Sequence, residues 1–420
     1  MTNNGRAASK TSAVSNNGAS ANGARKSAAR AAANDRPRPH YARFAHIVGW
    51  GMAVPERVLS NHEIARLVDT NDEWIVARTG IKERRIAEGK ETTTTLSIES
   101  AQNALEMADI SPEEVDLIIV ATATPEYSFP STASLVQDAI GAERAAAFDL
   151  SAACTGFIAA LGTAAESVRC GSANIALVIG AETLTKVTDW EDRGTCILFG
   201  DGAGAVVVQG SDVPGGIMSY LLRSDGSGGN LLTLPSVGAT RPGGVAGLLD
   251  HTIDMNGREV FRFATRAMAS ITREAVAMAG LSMENIDLII PHQANRRIIE
   301  AAARGLEMPD EKFYMNVDRY GNTSAASIPI ALCEAVEEGR VRPNDRLVFV
   351  GFGGGLTWGA IAVHWDVTPP EVSRWHRLGR QVRYGLSRAR SVGRRVLRRV
   401  EGAVFGMQAP EVEPPHRGKK

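Results

Sequence analysis

The sequence predicts an α/β fold built from two copies of one unit, on three observations. Residues 104–119 (ALEMADISPEEVDLII) lie over residues 275–290 (AVAMAGLSMENIDLII) without a gap, at a constant offset of 171. Met107 meets Met278, Ala108 meets Ala279, Ser111 meets Ser282 and Asp116 meets Asp287, and ungapped agreement of this quality marks an internal repeat. Helical stretches alternate with short apolar strand-like runs in both copies, as α/β folds require. Finally, 44% hydrophobic residues with 5% aromatics and 42 glycines suit a tightly packed α/β core, and 420 residues suffice for one large or two ordinary domains.

The elements follow in order. From Arg43, AHIVGWGMAVPERVLS predicts a strand, a glycine-rich turn and a loop, and NHEIARLV a helix with Asn61 as its N-cap. DTNDEWIVARTGIKERR sets Trp74 among charged residues, as on an amphipathic surface helix. SIESAQNALEMADI then predicts a helix, SPEE a turn and VDLIIVATAT a strand. The organising stretch is FDLSAACTGFIAALGTAAESV, residues 148–168: a strand, a small-residue turn carrying Cys154, and a run of Ala, Gly and Leu that packs only as a buried helix. NIALVIGAE predicts the next strand, and GDGAGAVVV from Gly200 is expected to be a tight turn inside the sheet. In the second copy IDLIIPHQANRRII is a strand with His292 just past its end. NVDRYGNTSAASIPIALCEAVEEG is a turn at Asn322 and a helix, DRLVFVGFGGG a strand, and LTWGAIAVHWDV a strand returning from it. A dinucleotide fingerprint needs a helix after the glycines and an acidic residue about 20 positions on; neither GFGGG nor GDGAGAVVV qualifies.

Net charge conceals an asymmetry. Residues 1–40 hold seven Lys or Arg against Asp35, and residues 367–420 hold thirteen against four acidic residues, so the total of −1 leaves −16 on residues 41–366. The division expected is a disordered basic tail over 1–40, two similar halves over 41–212 and 213–367, and a basic extension over 368–420. A cleaved organelle-targeting peptide would resemble the first segment in composition. Cys154, Cys170, Cys196 and Cys333 show neither zinc spacing nor a disulfide framework, which points to a reducing compartment and a cytoplasmic protein. No apolar run approaches the roughly 20 residues that span a bilayer.

Cys154 is expected at the mouth of a helix, where free N–H groups and the helix dipole favour the nucleophilic thiolate. Alone it would read as a small buried core residue, His292 as a hydrogen-bonded structural histidine and Asn322 as an ordinary turn residue. The repeat changes that reading: the Cys154 and Asn322 turns occupy matching places in the two halves. If the halves pack about a pseudo-twofold axis, a thiol nucleophile faces two hydrogen-bond donors for a carbonyl oxygen, which is equipment for acyl transfer.

SAACTGF, IIPHQANRRI, YGNTSAASIP and GFGGGLTWG, in this order, resemble the motifs of the β-ketoacyl-acyl-carrier-protein synthase III family, over residues 45–367. The resemblance implies a thiolase-like five-layered αβαβα fold of two duplicated halves, and a homodimer. It also implies the activity: decarboxylative Claisen condensation of an acyl-CoA primer with malonyl-acyl-carrier protein, initiating fatty acid synthesis without a metal or bound organic cofactor. By the same resemblance Cys154 carries the acyl group, His292 and Asn322 hold the malonyl thioester oxygen, and the N–H groups of Cys154 and Gly354 form the oxyanion hole. Trp74 and Arg193 would sandwich the CoA adenine, with Thr70 and Arg78 nearby; Phe129 would line the acyl pocket; Arg262, Arg296 and Arg297 would attract the carrier protein. Arg258 departs from the family, which commonly has an amide side chain there. Cys333 lies on the helix after Asn322, away from the place of the second catalytic cysteine of thiolases. A relative using another acceptor, to form a ketide, quinolone or ester, would share the three residues, whereas a silent scaffold would have no need of them.

The extension lies outside the family pattern. Trp375, Leu378, Val382, Leu386, Val396, Val400 and Val404 recur at helical spacing, with ten arginines between residues 374 and 399. Such a helix over 372–405 is expected to lie on an anionic membrane surface, with Gly379, Gly385 and Gly393 weakening it. A solvated arm, or a dock for carrier protein or nucleic acid, are the other readings; no nucleic-acid partner is expected.

Overall fold

The computed structural model describes residues 44–235 and 252–367, together with Gly393. The basic tail over 1–40 and, apart from Gly393, the expected helix over 372–405 lie outside the described residues.

The first half runs β1 (Phe44–Ala53), α1 (Asp72–Thr79), α2 (Thr93–Ala108), β2 (Leu117–Ala121), α3 (Thr132–Ile140), β3 (Ala146–Leu150), α4 (Gly156–Arg169), β4 (Ile175–Thr183) and β5 (Asp201–Ser211). A short hairpin pairs Arg57–Ser60 with Glu83–Ile86. The second half runs β6 (Gly216–Ser224), α5 (Gly257–Met278), β7 (Leu288–Pro291), α6 (Arg296–Leu306), α7 (Ser327–Glu337), β8 (Asp345–Gly353) and β9 (Thr357–Trp365). The first sheet has the order β1-β5-β4-β2-β3 and the second β6-β9-β8-β7, the same order without its last strand. β4–β2 and its counterpart β8–β7 are parallel, and the pairings on the other side of β4 and β8 are antiparallel. A lone parallel bridge from Ile289 to Phe313 stands where β3 would pair.

The repeat is structural as well as sequential. Leu117 pairs with Ala176 and Leu288 with Leu347, so the offset of 171 holds for both members of the pair. The same offset relates the turns Pro112–Glu114 and Met283–Asn285, each opened by a serine capping box. It also relates the 3-10 turns Ala153–Thr155 and Ser324–Ala326, which precede α4 and α7.

Five layers result. α2 covers the outer face of the first sheet, α4 and α7 lie between the sheets, and α5 packs with α6 on the outer face of the second. The layers enclose three apolar cores: one around α4 and α7, one under α2 and α3, and one under α5 and α6. α4 is buried on nearly every face, which its Ala- and Gly-rich sequence permits because small side chains let two sheets approach one helix.

Two local expectations are corrected. Ser60, not Asn61, caps the short helix Asn61–Ile64, through a capping box with Glu63. Asn61 is buried instead, donating to Ile81 O at 2.8 Å and accepting from Arg84 at 2.8 Å. GDGAGAVVV is no turn: from Asp201 it is the interior strand β5. Its glycines are there because the second half presses on it; a Cβ at Gly204 would lie 2.7 Å from Pro329 Cβ, and one at Gly200 2.3 Å from Tyr320 O.

Candidate active site

Cys154 sits in the 3-10 turn that leads into α4, and only 8% of it is exposed. The turn needs a left-handed residue, Ala153 at φ 45°, and is tied down by a hydrogen bond between the hydroxyls of Thr155 and Thr357 at 2.7 Å. The helix mouth was expected to favour thiolate, but burial outweighs it and pushes the thiol up to about 12, against a lowering hydrogen bond from Ser324; nearby Glu182 adds to the rise. The resting nucleophile is therefore the thiol.

His292 follows β7, its N–H bonded to Val350 O at 2.8 Å, so strand pairing fixes its backbone. Its Nδ1 lies 2.6 Å from Ser327 Oγ, and the ring packs edge-on against Phe352. Nε2 is buried with no protein partner. Burial lowers the imidazole to about 3, so it is neutral at any working pH. Asn322 is held by its N–H to Leu198 O at 2.8 Å, and its Oδ1 accepts from Ser324 N at 2.9 Å, which aims the amide.

All three side chains line one cavity of about 730 Å³. Gly351 shows how close two of them come: a Cβ there would lie 3.6 Å from both Cys154 O and His292 Cβ. Of the GFGGG glycines, Gly353 is the one that must lack a side chain beside the nucleophile, since a Cβ would lie 2.8 Å from Cys154 N. Gly354 lies next to it, within 3.6 Å of Ala153 Cβ on the same test.

Trp74 and Arg78 line the cavity. Arg193 stacks directly on Trp74 at 5.0 Å and Arg78 reaches the same ring at 5.1 Å. Thr70 and Arg193 are not among the lining residues; the hydroxyl of Thr70 is buried without a partner. Arg258, Arg262 and Arg297 also line the cavity, and with Arg78 they are its charged lining residues among those described, in a body that is otherwise acidic. Arg296 lies outside it, packed under Gly80. Phe129 is 86% exposed and does not line the cavity of its own chain.

Four residues escaped the sequence reading. Ser327 orients His292. Gln293 anchors the segment behind it, donating to Tyr314 O at 3.1 Å and accepting from Asn316 N at 3.0 Å. Glu182, at the end of β4, is fully buried and accepts from Thr122, Ala123, Thr124 and Ser324. Ser324, on the turn that touches the nucleophile turn, is one of those donors. The available signal was the repeat itself: Gly353, which the offset matches to Glu182, carries no side chain, so a carboxylate there is a departure that calls for a reason.

Comparison with known proteins agrees with this geometry. Residues 148–226 match the family described as 3-oxoacyl-[acyl-carrier-protein] synthase III, and residues 276–365 its C-terminal part. The β-ketoacyl-[acyl-carrier-protein] synthase III of Desulfitobacterium hafniense strain Y51 is 53% identical over 322 residues, 76% of this chain and 97% of that protein. That of Roseiflexus sp. strain RS-1 is 51% identical over 77% of this chain and 99% of its own. The crystal structure of 3-oxoacyl-[acyl-carrier-protein] synthase III from Aquifex aeolicus VF5 superposes with a TM-score of 0.72 at 49% identity, over 76% of this chain and 99% of the other. With that likeness spanning nearly the whole of each relative, and with cysteine, histidine and asparagine converging on one cavity, this chain belongs to the β-ketoacyl-acyl-carrier-protein synthase III family of thiolase-fold condensing enzymes.

Proposed function

We infer that the protein joins an acyl-CoA primer to malonyl-acyl-carrier protein, giving a 3-oxoacyl-acyl-carrier protein and carbon dioxide at the first step of fatty acid synthesis. The observation that carries this is the convergence of Cys154, His292 and Asn322 on one cavity, with His292 Nε2 buried and unpartnered. The Cys154 sulfur attacks the primer carbonyl, the C–S bond to CoA breaks with its electron pair, and the thiol proton leaves with the CoA sulfur. The N–H groups of Cys154 and Gly354 are the proposed donors to the oxyanion. Malonyl-carrier protein then loses carbon dioxide, and the electron pair of the broken C–C bond becomes an enolate. In the tautomer in which Nδ1 accepts from Ser327 the imidazole proton sits on Nε2, and His292 and the Asn322 amide then hold the enolate oxygen without proton transfer. The enolate attacks the acyl-enzyme and Cys154 leaves as thiolate. The malonyl carboxyl drives carbon–carbon bond formation, so this reading needs no metal or resident cofactor.

Trp74, Arg193, Thr70 and Arg78 are assigned to CoA. Arg262, Arg296 and Arg297 are assigned to the carrier protein; net repulsion from an acidic body makes a local basic rim necessary. For Phe129 to line an acyl pocket a second copy must supply it, and Tyr127, Phe129 and Phe148 are exposed beside β3, the open edge of the first sheet. That favours a homodimer. The activity test is formation of 3-oxoacyl-carrier protein from malonyl-carrier protein with a panel of acyl-CoAs; no product with any primer would remove the reading.

The protein is proposed to be cytoplasmic. No helix of the described residues is long and apolar enough to cross a membrane. The basic pattern over 372–405 supports peripheral contact with anionic lipid. Flotation of the full chain with anionic liposomes tests it: salt-sensitive binding lost on truncation after Asp366 is expected, and equal binding by the truncated chain would exclude that role.

A further inference from the structure

His292 and Asn322 stand on separate segments, yet in the proposed reaction both must aim a donor at one oxygen. A single buried carboxylate ties those segments together. Glu334 lies on α7, about two turns beyond Ser327 on the same helix face, and is 7% exposed. Three donors reach it: Tyr320 OH at 2.7 Å, Asn316 Nδ2 at 2.8 Å and Arg319 Nη2 at 2.9 Å. Arg319 supplies the opposite charge that a buried carboxylate needs. From Asn316 one arm runs to His292. The Asn316 backbone N–H donates to Gln293 Oε1 at 3.0 Å, and Gln293 Nε2 donates to Pro291 O at 2.8 Å and Tyr314 O at 3.1 Å. Two carbonyls on one side of that amide and an N–H on the other fix which atom is its nitrogen. Gln293 directly follows His292, and Gln293 and Asn316 are both fully enclosed. The second arm runs to Asn322. Tyr320 ends the short helix Val317–Tyr320, and Gly321 alone separates it from Asn322. Gly321 holds φ 63°, and a Cβ there would lie 2.7 Å from Leu198 O, so this link has little room to shift.

We propose that Glu334 is a positioning residue for the malonyl half-reaction, setting the His292–Asn322 pair through Asn316 on one arm and Tyr320 on the other. The proposal rests on the reading of His292 and Asn322 as the groups that hold the enolate oxygen. A carboxylate suits the task because it only accepts, and so takes three donors at once. A glutamine in its place would turn an N–H toward one of them. α7 thereby holds His292 twice, directly through the Ser327 hydroxyl at 2.6 Å and from behind through Glu334, Asn316 and Gln293. Asn322 is held from both halves: its N–H donates to Leu198 O at 2.8 Å and its carbonyl accepts from Gly200 N at 3.0 Å, while Tyr320 ties the preceding turn to α7. None of the bonds in either arm leads to Cys154, so loosening them should spare acylation and slow the step that needs two aligned donors. Small misplacements of such donors are costly in rate.

The test follows the two half-reactions in the full chain: acylation of Cys154 by acetyl-, isobutyryl- or octanoyl-CoA, and carbon dioxide release from malonyl-acyl-carrier protein. Tyr320→Phe removes one hydroxyl and Glu334→Gln one acceptor. Each is expected to lower kcat for decarboxylation about 10-fold, while its KM and the acylation rate stay within about 2-fold. Double variants show whether the arms act through the pair. Tyr320→Phe should cost nothing further in Asn322→Ala but its full factor in His292→Ala, and Asn316→Ala, which keeps the backbone bond to Gln293, the reverse. A purely structural role would slow both half-reactions together, or slow decarboxylation by one factor in every background. Either result, or decarboxylation at the wild-type rate in Tyr320→Phe and Glu334→Gln, overturns the proposal and leaves the condensing function standing. Tyr320→Phe keeps the ring and its packing, so it decides the matter if Glu334→Gln does not fold. A wild type that neither takes an acyl group at Cys154 nor releases carbon dioxide overturns the reading of the reaction and this proposal with it.

Discussion

Ala153 and Ser324, 171 positions apart, both hold left-handed backbone, at φ 45° and 48°. Each opens a 3-10 turn at the start of a buried helix, and the two turns touch across the middle of the molecule. The duplication has therefore conserved a strained turn in both halves and given each a different task. One carries a thiol, and the other directly follows Asn322, which lines the same cavity.

The glycines beneath these turns predict an asymmetry. Gly180 and Gly351 are repeat partners, and each lies under the other half's turn. A Cβ at Gly180 would lie 2.1 Å from Ala325 O, whereas one at Gly351 meets nothing closer than 3.6 Å. Gly180→Ala is expected to destabilise the protein by about 1–3 kcal/mol or more through overpacking, and Gly351→Ala by much less. Urea midpoints decide it; equal shifts would mean that the halves pack less tightly than described.

His292 and Asn322 should separate the half-reactions. Their alanine variants are expected still to be acylated on Cys154, while decarboxylation of malonyl-carrier protein falls by about 10²–10³ per lost donor. Carbon dioxide release at the wild-type rate in both variants would show that neither group holds the enolate.

Two buried groups give opposite pH dependence of stability. His292 is lowered to about 3, so its contribution is present above about 6.5 and is lost as pH falls from there toward 3. Glu182 is raised to about 7, so its contribution is present below about 4.5 and is lost as pH rises through 7. On acidification from pH 6.5 to 4.5, His292→Asn should gain stability relative to wild type and Glu182→Gln should lose it, each by at most about 1.4 kcal/mol per pH unit. Chemical denaturation across that range reads both slopes, and slopes of the same sign would place a charge where the structure has none.

Trp74 is gripped by Arg78 and Arg193 before any ligand arrives. Trp74→Ala is expected to raise the KM for acyl-CoA about 10-fold, the loss of one stacking surface, with little change in malonyl decarboxylation. An unchanged KM would move the adenine elsewhere.

Much of this was legible in the sequence because the repeat is ungapped: a constant 171 aligns strands, turns and helices of both halves, and motif order supplied the family. Cys154 and His292 were readable because each lies just past a strand, and Asn322 because its turn matches the Cys154 turn in the repeat. Glycine-rich β5 was misread because glycine signals a turn locally, while the reason for these glycines is a helix from the other half, invisible at short range. Asn61 was misplaced by one residue because Ser60 and Asn61 both suit a cap. Glu182 and Ser324 were missed because their meaning is a contact across 142 positions. Phe129 could be read as a pocket residue only by resemblance, since its exposure is a property of the folded chain.

Every step proposed for the reaction passes through Cys154 as the covalent carrier of the primer. The most direct test of that role is intact-protein and peptide mass spectrometry after incubation with acyl-CoA, followed by addition of malonyl-carrier protein. Expected are an acyl adduct on the Cys154 peptide, its discharge with release of 3-oxoacyl-carrier protein, and no adduct in Cys154→Ser, because serine without a neighbouring base is a far weaker nucleophile. An adduct on another residue, or one on Cys154 that malonyl-carrier protein does not discharge, would contradict that role.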